Sequence, residues 1–457
     1  MQHLGVEFSV KNLPVYDPGF IPIGRFNEAY ARTADKPFGI ALIRGENRAA
    51  VLHTRIHGDP EMRAADSLYL DRLLKSLLWM KGGYRVELAG DRALCETLIS
   101  AYAPGGSRAF DHAFMTRVYE RPFEVRHVDA LPEEADDSLP IGRHLDGCRI
   151  GFDAGGSDRK VSAVIDGEPV YAEEVVWHPK TNADPQYHYE GIVSALKAAA
   201  AHLPRVDAIG VSSAGVFVHN RTMVASLFLK VPEKAFEEQV KDIYLRAARE
   251  IGDVPVVVCN DGDVTALAGA MSLNRNSVLG IAMGTSEAAG FVDRRGNITG
   301  WLNELAFAPV DLNPDAMADE WSGDCGVGCK YFSQDAVIKL AAAAGIPLSA
   351  GKTPAEKLKI VQGLAEESEP RALRVFADIG LYLAHTLPFY HRLYEFENVL
   401  LLGRVLSGRG GEALVESALA ALHDEYPALA AAVSLHLPDE KSRRVGQSVA
   451  AASLPAL

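Results

Sequence analysis

The chain has 457 residues, of which 48% are hydrophobic and 23% charged, and its formal net charge at pH 7 is −14. These values are typical of a soluble globular protein that is long enough for two or three domains. The negative charge disfavours nucleic acids and anionic membranes as partners, and no long uncharged apolar run predicts a membrane span.

The cysteines and the first residues indicate a cytoplasmic protein. Five cysteines, most of them isolated, stand at positions 95, 148, 259, 325 and 329. An odd and sparse set is typical of reduced thiols rather than of a disulfide framework. The opening MQHLGVEFSVKNLPVYD lacks the basic and apolar segments of a secretory signal.

Residues 1–145 are predicted to form a separate α+β unit of unknown role. Residues 38–56 read as a β-hairpin with its turn at 45–47, and residues 64–80 have apolar positions at helical spacing. The acidic, proline-flanked segment 131–140 indicates a linker. A packing or oligomerisation role for this unit stays open, so a homo-oligomer is one expected state.

From residue 149 the pattern changes to paired strands followed by helices. CRIGFDAG and KVSAVIDG predict a hairpin, and EPVYAEEVVW is predicted to continue the same sheet. The elements expected next are a helix at 190–203, a buried strand at 206–216, a helix at 232–252 and a strand at 254–263.

The hairpin tip at 155–157, Gly-Gly-Ser, could bind an oxyanion. Glycines allow positive φ and let backbone N–H groups approach an anion, and Asp153, just before the tip, could hold Mg²⁺ through water. The alternative is an ordinary hairpin with a solvated aspartate. A second such hairpin at 277–299 carries Gly284 and Thr285 at its turn, and two hairpins of this kind can bind a triphosphate from either side.

Polar residues end the apolar strand VPVVVCNDGD, where Asn260 and Asp261 stand together. Ligands of open α/β sheets collect at the carboxyl ends of strands, and a carboxylate there can accept a proton from a substrate hydroxyl that the amide orients. The alternative is a strand-to-helix turn with Asp261 or Asp263 as the helix cap.

A third glycine loop, from Gly403 to Gly411, leads into a predicted helix and could contact a nucleoside.

Seven segments resemble, in their order, motifs of the ROK family of sugar kinases and relatives, within the actin/hexokinase/Hsp70 superfamily: GFDAGGS, IGVSSAGV, VCNDGDVTALAGA, GIAMGTSEAAGFVD, NELAFAPVDL, DCGVGC and VLLLGRVLSGRGGEALVESAL. The C-terminal DEKSRRVGQSVAAASL is similar to the family's closing helix. The resemblance implies an α/β, two-lobed actin-like ATPase (ribonuclease H-like) fold with mixed sheets, plus the N-terminal α+β unit. The implied lobes are 146–265 and 266–457, with the last helix returning to the first lobe.

The resemblance also implies a function, namely ATP-dependent phosphorylation of a sugar or sugar-derivative hydroxyl in a cleft between the lobes, with Mg²⁺ as cofactor. Asp261 would be the general base, and Asp153 would lie near Mg²⁺ and the phosphates. The sugar would contact Asn260, Glu304 and Gly215. The phosphate and nucleotide site would be lined by Gly155, Gly156, Ser157, Gly284, Thr285 and Gly403.

Several positions depart from the family pattern at the phosphate turns. Asp158 follows Ser157 where the first turn usually has threonine and then lysine, and Ser286 and Glu287 interrupt the second turn. These departures favour an alternative, a catalytically impaired sugar- or nucleotide-binding sensor or scaffold. A DNA-binding repressor of the same family would need a basic helix pair, which the charge-balanced N-terminal residues disfavour.

A structural zinc ion is also disfavoured. Members of the family often bind zinc through one histidine and three cysteines, but the histidine position here is Phe307 and only Cys325 and Cys329 remain. Zinc prefers four ligands, so this pair is an incomplete site. A family glutamate after the last cysteine, which touches the sugar, is replaced here by Lys330 and Tyr331.

Overall fold

The computed structural model describes residues 1–45, 48–135, 140–437 and 442–457. The chain forms two compact units. Unit 1 comprises Met1–Asp137, Ile281–Ala289 and Trp301–His436, and unit 2 comprises Ser138–Gly280, Gly290–Gly300 and Leu437–Leu457. The boundaries predicted after residues 145 and 265 stay predictions. Parts of the predicted hairpin turn (46–47), of the linker (136–139) and of the closing segment (438–441) lie outside the described residues.

The strands alternate with helices along most of the chain. They are β1 (Gln2–His3), β2 (Val6–Glu7), β3 (Lys36–Gly45), β4 (Arg48–Ile56), β5 (Arg85–Ala89), β6 (Glu124–His127), β7 (Cys148–Ala154), β8 (Asp158–Ile165), β9 (Glu168–Val176), β10 (Ala208–Ser213), β11 (Val216–Val218), β12 (Arg221–Val224), β13 (Val256–Asn260), β14 (Val278–Met283), β15 (Glu287–Val292), β16 (Asn398–Leu402) and β17 (Ser434–His436).

The helices vary in length from a single turn to 25 residues. They are α1 (Ile23–Thr33), α2 (Arg63–Lys81), α3 (Arg92–Ala101), α4 (Ala109–Tyr119), α5 (Pro185–Ala200), α6 (Glu233–Ala235), α7 (Ile243–Arg249), α8 (Asp261–Leu273), α9 (Gln334–Ala343), α10 (Pro354–Glu366), α11 (Pro370–Tyr394), α12 (Gly408–Glu425), α13 (Pro427–Ala432) and α14 (Ser442–Ala452). Among the helices that the structure describes, none is both long enough and apolar enough to cross a membrane.

A five-stranded mixed sheet forms the centre of unit 2, in the order β13-β10-β7-β8-β9. Strand β10 runs parallel to β7 and β13, whereas β7, β8 and β9 form an antiparallel meander. The predicted hairpin and its third strand are therefore confirmed. The parallel strands bring the carboxyl ends of β7, β10 and β13 to one edge of the sheet.

Helices cover both faces of this sheet. Ile150 and Phe152 point to the face that packs on α5 and α7, so Gly151 faces the other side, because strand side chains alternate. A Cβ atom on Gly151 would lie 1.7 Å from the Ser448 carbonyl oxygen, and one on Gly210 would lie 1.7 Å from that of Ala451. Only glycine therefore lets α14 pack this closely on β7 and β10.

The prediction of one continuous helix over 232–252 is wrong. The structure has the short helix α6, a π-helical turn at Phe236–Val240 and then α7. The Lys241 N–H group donates to the Phe236 carbonyl, five residues back. The Lys241 carbonyl accepts a hydrogen bond from the Thr222 N–H group of β12 at 2.9 Å. Tertiary hydrogen bonding thus replaces the regular helical ladder here.

Two four-stranded sheets have the orders β4-β3-β5-β6, which lies in unit 1, and β15-β14-β16-β17. The first sheet confirms the predicted hairpin, because β3 and β4 pair antiparallel, with Phe38 opposite Thr54. Helix α2, predicted at 64–80, spans Arg63–Lys81. The chain passes between the two units within the hairpin of β14 and β15.

The close packing of α14 predicts that Gly210→Ala destabilises the protein by about 2–3 kcal/mol or prevents folding, because the added methyl group meets backbone rather than a movable side chain. Gly252→Ala is the matched control, since its Cβ would find only Val254 Cγ1 at 3.8 Å, and it should change the free energy of unfolding by less than about 0.5 kcal/mol. Urea unfolding measures both. Equal unfolding midpoints for the two variants would contradict the packing argument.

Candidate functional site

The predicted residues of unit 2 meet at the carboxyl edge of its sheet. Across β7 and β10, Asp153 lies opposite Ser212, and across β10 and β13, Ser213 lies opposite Asn260. Asp261 follows as the first residue of α8. Strand register therefore places the two aspartates at the same edge of the sheet, at the ends of β7 and β13, which are separated by β10.

Asp153 is held in a buried and polar position. Its side chain is 6% exposed, and Ser212 Oγ donates to Asp153 Oδ1 at 2.8 Å. Gln447 Nε2, from α14, in turn donates to Ser212 Oγ at 3.1 Å. Burial raises the pKa of Asp153 to about 6, and the negative charge of Asp261 adds to this effect while the Ser212 hydrogen bond opposes it.

The Asp261 carboxyl group lies at the N-terminus of α8. Burial raises its pKa above the ordinary aspartate value, and backbone hydrogen bonding and the charge of Lys180 oppose this shift. The Gly262 N–H group lies 3.1 Å from Asp261 Oδ1. A carboxylate whose pKa is raised in this way is a better proton acceptor near neutral pH than an ordinary surface aspartate.

The strand-to-helix turn of the alternative is present, but Asn260 caps the helix in place of Asp261 or Asp263. Its Oδ1 accepts a hydrogen bond from the Gly262 N–H group at 2.7 Å, and its Nδ2 donates to the Gly215 carbonyl at 2.7 Å. Two residues predicted to contact the sugar are thus bonded to each other. Gly215 has φ +146°, and a Cβ there would lie 2.4 Å from the Val224 carbonyl oxygen.

The first glycine turn joins β7 to β8, as predicted, but not through positive φ. Neither Gly155 nor Gly156 has a positive φ. Glycine is required by space instead, because a Cβ on Gly155 would lie 2.7 Å from the Asp158 carbonyl oxygen. Trp177 fixes the turn by donating from Nε1 to the Gly155 carbonyl at 2.7 Å.

Cations surround this turn although its sequence carries an acid. Lys160 Nζ lies 3.0 Å from Asp158 Oδ1, and Ser157 Oγ donates to Asp158 Oδ2 at 3.1 Å. Lys180 reaches the tip from another loop, since a Cβ on Gly156 would lie 3.0 Å from Lys180 Nζ. Sequence spacing gives no signal for Lys180, which is brought to the turn by the tertiary fold.

In unit 1, the residues predicted to contact the nucleotide also lie together. Gly403 has φ +99°, and a Cβ there would lie 2.2 Å from the Met283 carbonyl oxygen, next to Gly284. Arg404 Nη2 donates to Thr285 Oγ1 at 3.2 Å. Around Gly284 itself, the nearest atom to a Cβ would be the Ser286 carbonyl oxygen at 3.6 Å, so there is room beside this turn.

Glu287 is buried at the second turn. Its carboxyl oxygens have no hydrogen-bond partner among the described residues. Burial, with the nearby charge of Glu304, raises the pKa of Glu287 well above its ordinary value, which disfavours its charged form. It packs at Gly328, where a Cβ would lie 2.1 Å from Glu287 Oε2.

The two cysteines of DCGVGC differ in burial and in their neighbours. Cys329 is buried and its Sγ donates to Asp319 Oδ1 at 3.6 Å, whereas Cys325 is half-buried. Burial, with the nearby charge of Asp319, raises the pKa of the Cys329 thiol. Within the residues that the structure describes, no group of three or more His, Cys, Asp or Glu side chains is placed to hold a metal ion.

The predicted site residues therefore fall into two sets. Unit 2 holds Asp153, Gly155, Gly156, Ser157, Gly215, Asn260 and Asp261, and unit 1 holds Gly284, Thr285, Glu304, Gly403, Cys325 and Cys329. The sequence missed Ser212, Gln447 and Lys180, which support or surround the first set. The ligand-binding roles of all these residues stay predictions.

Two solved structures of ROK family proteins are similar in fold to this chain. A ROK hexokinase from Thermus thermophilus matches this chain with a TM-score of 0.52 at 20% identity, covering 67% of this chain and 96% of its own. A ROK family transcriptional regulator, a homologue of the E. coli MLC protein, gives a TM-score of 0.50 at 17% identity, covering 67% of this chain and 78% of its own. No protein-family model and no curated protein matches the chain.

The chain thus has the actin-like (ribonuclease H-like) α/β fold of ROK proteins, with mixed sheets, and the predicted fold class is confirmed. At these identities the likeness concerns the fold. The predicted role of residues 1–145 as an extra unit stays a prediction.

The raised pKa of Asp153 predicts a pH-dependent loss of stability. Because the folded state binds this proton more tightly than the unfolded state, the stabilisation is present below about pH 4 and is lost as the pH rises through about 6. Asp153→Asn has no such group and therefore lacks this loss. The free energy of unfolding of the variant, relative to that of the wild type, should thus be about 2 kcal/mol higher at pH 7 than at pH 4. Urea unfolding at several pH values measures the effect. Parallel profiles for wild type and variant would contradict the assignment.

Proposed function

We propose that this chain is a cytoplasmic ATP-dependent carbohydrate kinase that phosphorylates a hydroxyl group of a sugar or sugar derivative. The observation that carries this proposal is the pair of carboxyl groups, Asp153 and Asp261, at the carboxyl edge of one sheet beside a glycine turn. The fold shared with a ROK hexokinase supports the same reaction class.

Asp261 is the proposed general base. It accepts the proton of the attacking sugar hydroxyl as the sugar oxygen bonds to the γ-phosphorus of ATP and the bond from that phosphorus to the bridging oxygen breaks, so that ADP leaves. Its raised pKa suits this role near neutral pH. Because phosphoryl transfer depends mainly on positioning and charge neutralisation, one such base is sufficient.

Asp153 is the proposed ligand of Mg²⁺, directly or through water. The residues fit this ion, because burial and the charge of Asp261 both disfavour the Asp153 carboxylate, and a nearby cation relieves both effects. When bound, the ion neutralises charge on the phosphate oxygens. Ser212 and Gln447 hold the Asp153 side chain in its orientation.

The glycine turn at 155–157 and Lys180 are proposed to bind phosphate oxygens of ATP. Small residues expose backbone N–H groups at the tip, and Lys180 supplies the positive charge that the turn sequence lacks. We also propose nucleotide contacts for Gly284, Thr285 and Gly403. The proposed sugar contacts are Asn260, Glu304 and Gly215.

A second candidate is a sugar- or nucleotide-binding sensor with impaired catalysis. It is favoured by Asp158, whose carboxylate accepts a hydrogen bond from the Ser157 hydroxyl at the turn that is proposed to bind phosphate. A ROK family transcriptional regulator also shares the fold. Ligand binding without turnover, across a panel of sugars with ATP and Mg²⁺, would favour this candidate over the kinase.

The general-base assignment predicts that Asp261→Asn lowers kcat about 10³-fold with a sugar that the wild type phosphorylates, because removal of a general base has effects of this order. ADP release over a panel of hexoses and amino sugars identifies the substrate and measures the loss. Asp253→Asn, at an exposed site before β13, is the control and should retain wild-type turnover. Equal turnover of Asp261→Asn and the control would exclude Asp261 as the base.

The position of Lys180 predicts that Lys180→Met raises the KM for ATP or lowers kcat by about 10-fold to 100-fold, because it removes a positive charge beside the proposed phosphate turn. Lys197→Met is the matched control, since Lys197 is an exposed lysine that pairs with Glu250 on the surface. Steady-state kinetics with ATP varied at saturating sugar measure both variants. Identical kinetic constants for the two variants would contradict the proposal that Lys180 binds the phosphates of ATP.

A further inference from the structure

The segment from Asp319 to Lys330, here called the cysteine loop, contains Cys325 and Cys329 but no complete set of zinc ligands. The segment 301–307, here called the Glu304 segment, precedes it in the chain and carries Glu304, a predicted sugar contact. Neither segment contains a β-strand or a helix of more than one turn. Their positions therefore depend on contacts with other elements of unit 1. The N-terminal helices α2 and α4 supply this support.

The C-terminal end of α2 holds the Glu304 segment directly. The Glu304 N–H group donates to the Trp79 carbonyl at 3.0 Å, and the Asn303 N–H group donates to the Met80 carbonyl at 2.9 Å. The last carbonyls of a helix lack partners within the helix, so they are available for this purpose. The backbone that carries Glu304 is thereby fixed to an N-terminal helix.

An aromatic cluster around Phe307 joins the same elements. The ring centroid of Phe307 lies 4.3 Å from that of Trp79 on α2 and 5.6 Å from that of Phe110 on α4. Trp321, in the cysteine loop, lies 5.5 Å from Phe307. A phenylalanine cannot ligate a metal, but it can pack against these rings.

The cysteine loop is held by a buried ion-pair network. Asp324 Oδ2 lies 2.7 Å from Arg72, 3.3 Å from Lys75 and 2.9 Å from Arg108. Lys75 is 1% exposed and also pairs with Asp111 at 2.9 Å. One loop carboxylate therefore meets three cations, two from α2 and one from just before α4. Removal of one member of a buried network leaves uncompensated charge, so its effect is large.

We propose that α2 and α4 hold the cysteine loop and the Glu304 segment in place without a metal ion, so that the N-terminal residues are part of the support of the sugar site. Asp324 is the central positioning residue, and it acts through the loop rather than by touching substrate. The link to the sugar site rests on the proposed function. The claim that the helices hold the cysteine loop without a metal ion is independent of the proposed function.

The test uses the labelling rate of Cys329 by iodoacetamide in the native full-length chain, followed by peptide mass spectrometry. Asp324→Asn should increase this rate about tenfold or more, because the loop opens locally. Cys148, buried in unit 2, is the internal reference, since global unfolding would expose it as well. Arg72→Gln is a milder second variant with the same expected direction. Glu96→Gln, which removes an exposed ion pair with Arg92 on α3, should leave the rate unchanged.

Two further measurements separate this inference from the proposed function. The purified chain should contain far less than one zinc ion per molecule, and EDTA should not change the labelling of Cys329. In Asp324→Asn the KM for the sugar should rise while the KM for ATP stays constant, which general destabilisation would not produce. If the wild type phosphorylates no sugar, the kinase proposal fails, whereas labelling and zinc content still decide the role of the helices.

Either of two results would overturn the inference. One is labelling of Cys329 in Asp324→Asn and Arg72→Gln at the wild-type rate. The other is stoichiometric zinc whose removal accelerates the labelling of Cys329 in the wild type.

Discussion

The contact between α14 and the glycine face of β7 and β10 is the constraint on which the candidate site of unit 2 depends. Gly151 and Gly210 lack the methyl groups that would keep the helix away. Gln447 precedes Ser448, the residue that meets Gly151, and its side chain therefore reaches Ser212. Ser212 in turn orients Asp153. A backbone contact at the centre of the sheet thus controls a carboxyl group at its edge.

Buried carboxyl groups in this protein differ in charge according to their neighbours. Asp324 is buried, but three cations outweigh the effect of burial and lower its pKa, so it carries a full negative charge and can hold a loop. Glu287 is buried beside another acid and has a raised pKa. Asp153 has a pKa of about 6. Its charge can therefore respond to a bound cation near neutral pH.

The sequence predicted the parts of the fold that depend on local pattern. Alternating apolar residues gave the meander of β7, β8 and β9, and the polar end of an apolar strand singled out Asn260 and Asp261. Residues brought in by tertiary structure were missed. Lys180 and Gln447 reach the site from a loop and from the last helix, and no spacing in the sequence relates them to Asp153.

Local rules also failed where tertiary contacts compete with them. The helix expected at 232–252 is interrupted at the point where the Lys241 carbonyl accepts a hydrogen bond from the Thr222 N–H group of β12. Gly155 was expected to adopt positive φ, but it is glycine because the chain passes close to Asp158. The support of the Glu304 segment by α2 joins residues more than two hundred positions apart, and sequence pattern alone does not reveal such a contact.

The most direct test of the central claim is a carbon-13 NMR titration of the Asp153 carboxyl group, with its signal assigned by comparison with Asp153→Asn. The account predicts an apparent pKa of about 6 in the free chain and a marked decrease on addition of Mg²⁺ and ADP, because a bound cation favours the carboxylate. A free-chain pKa near the ordinary value of about 4, or a raised pKa that Mg²⁺ and ADP leave unchanged, would contradict it.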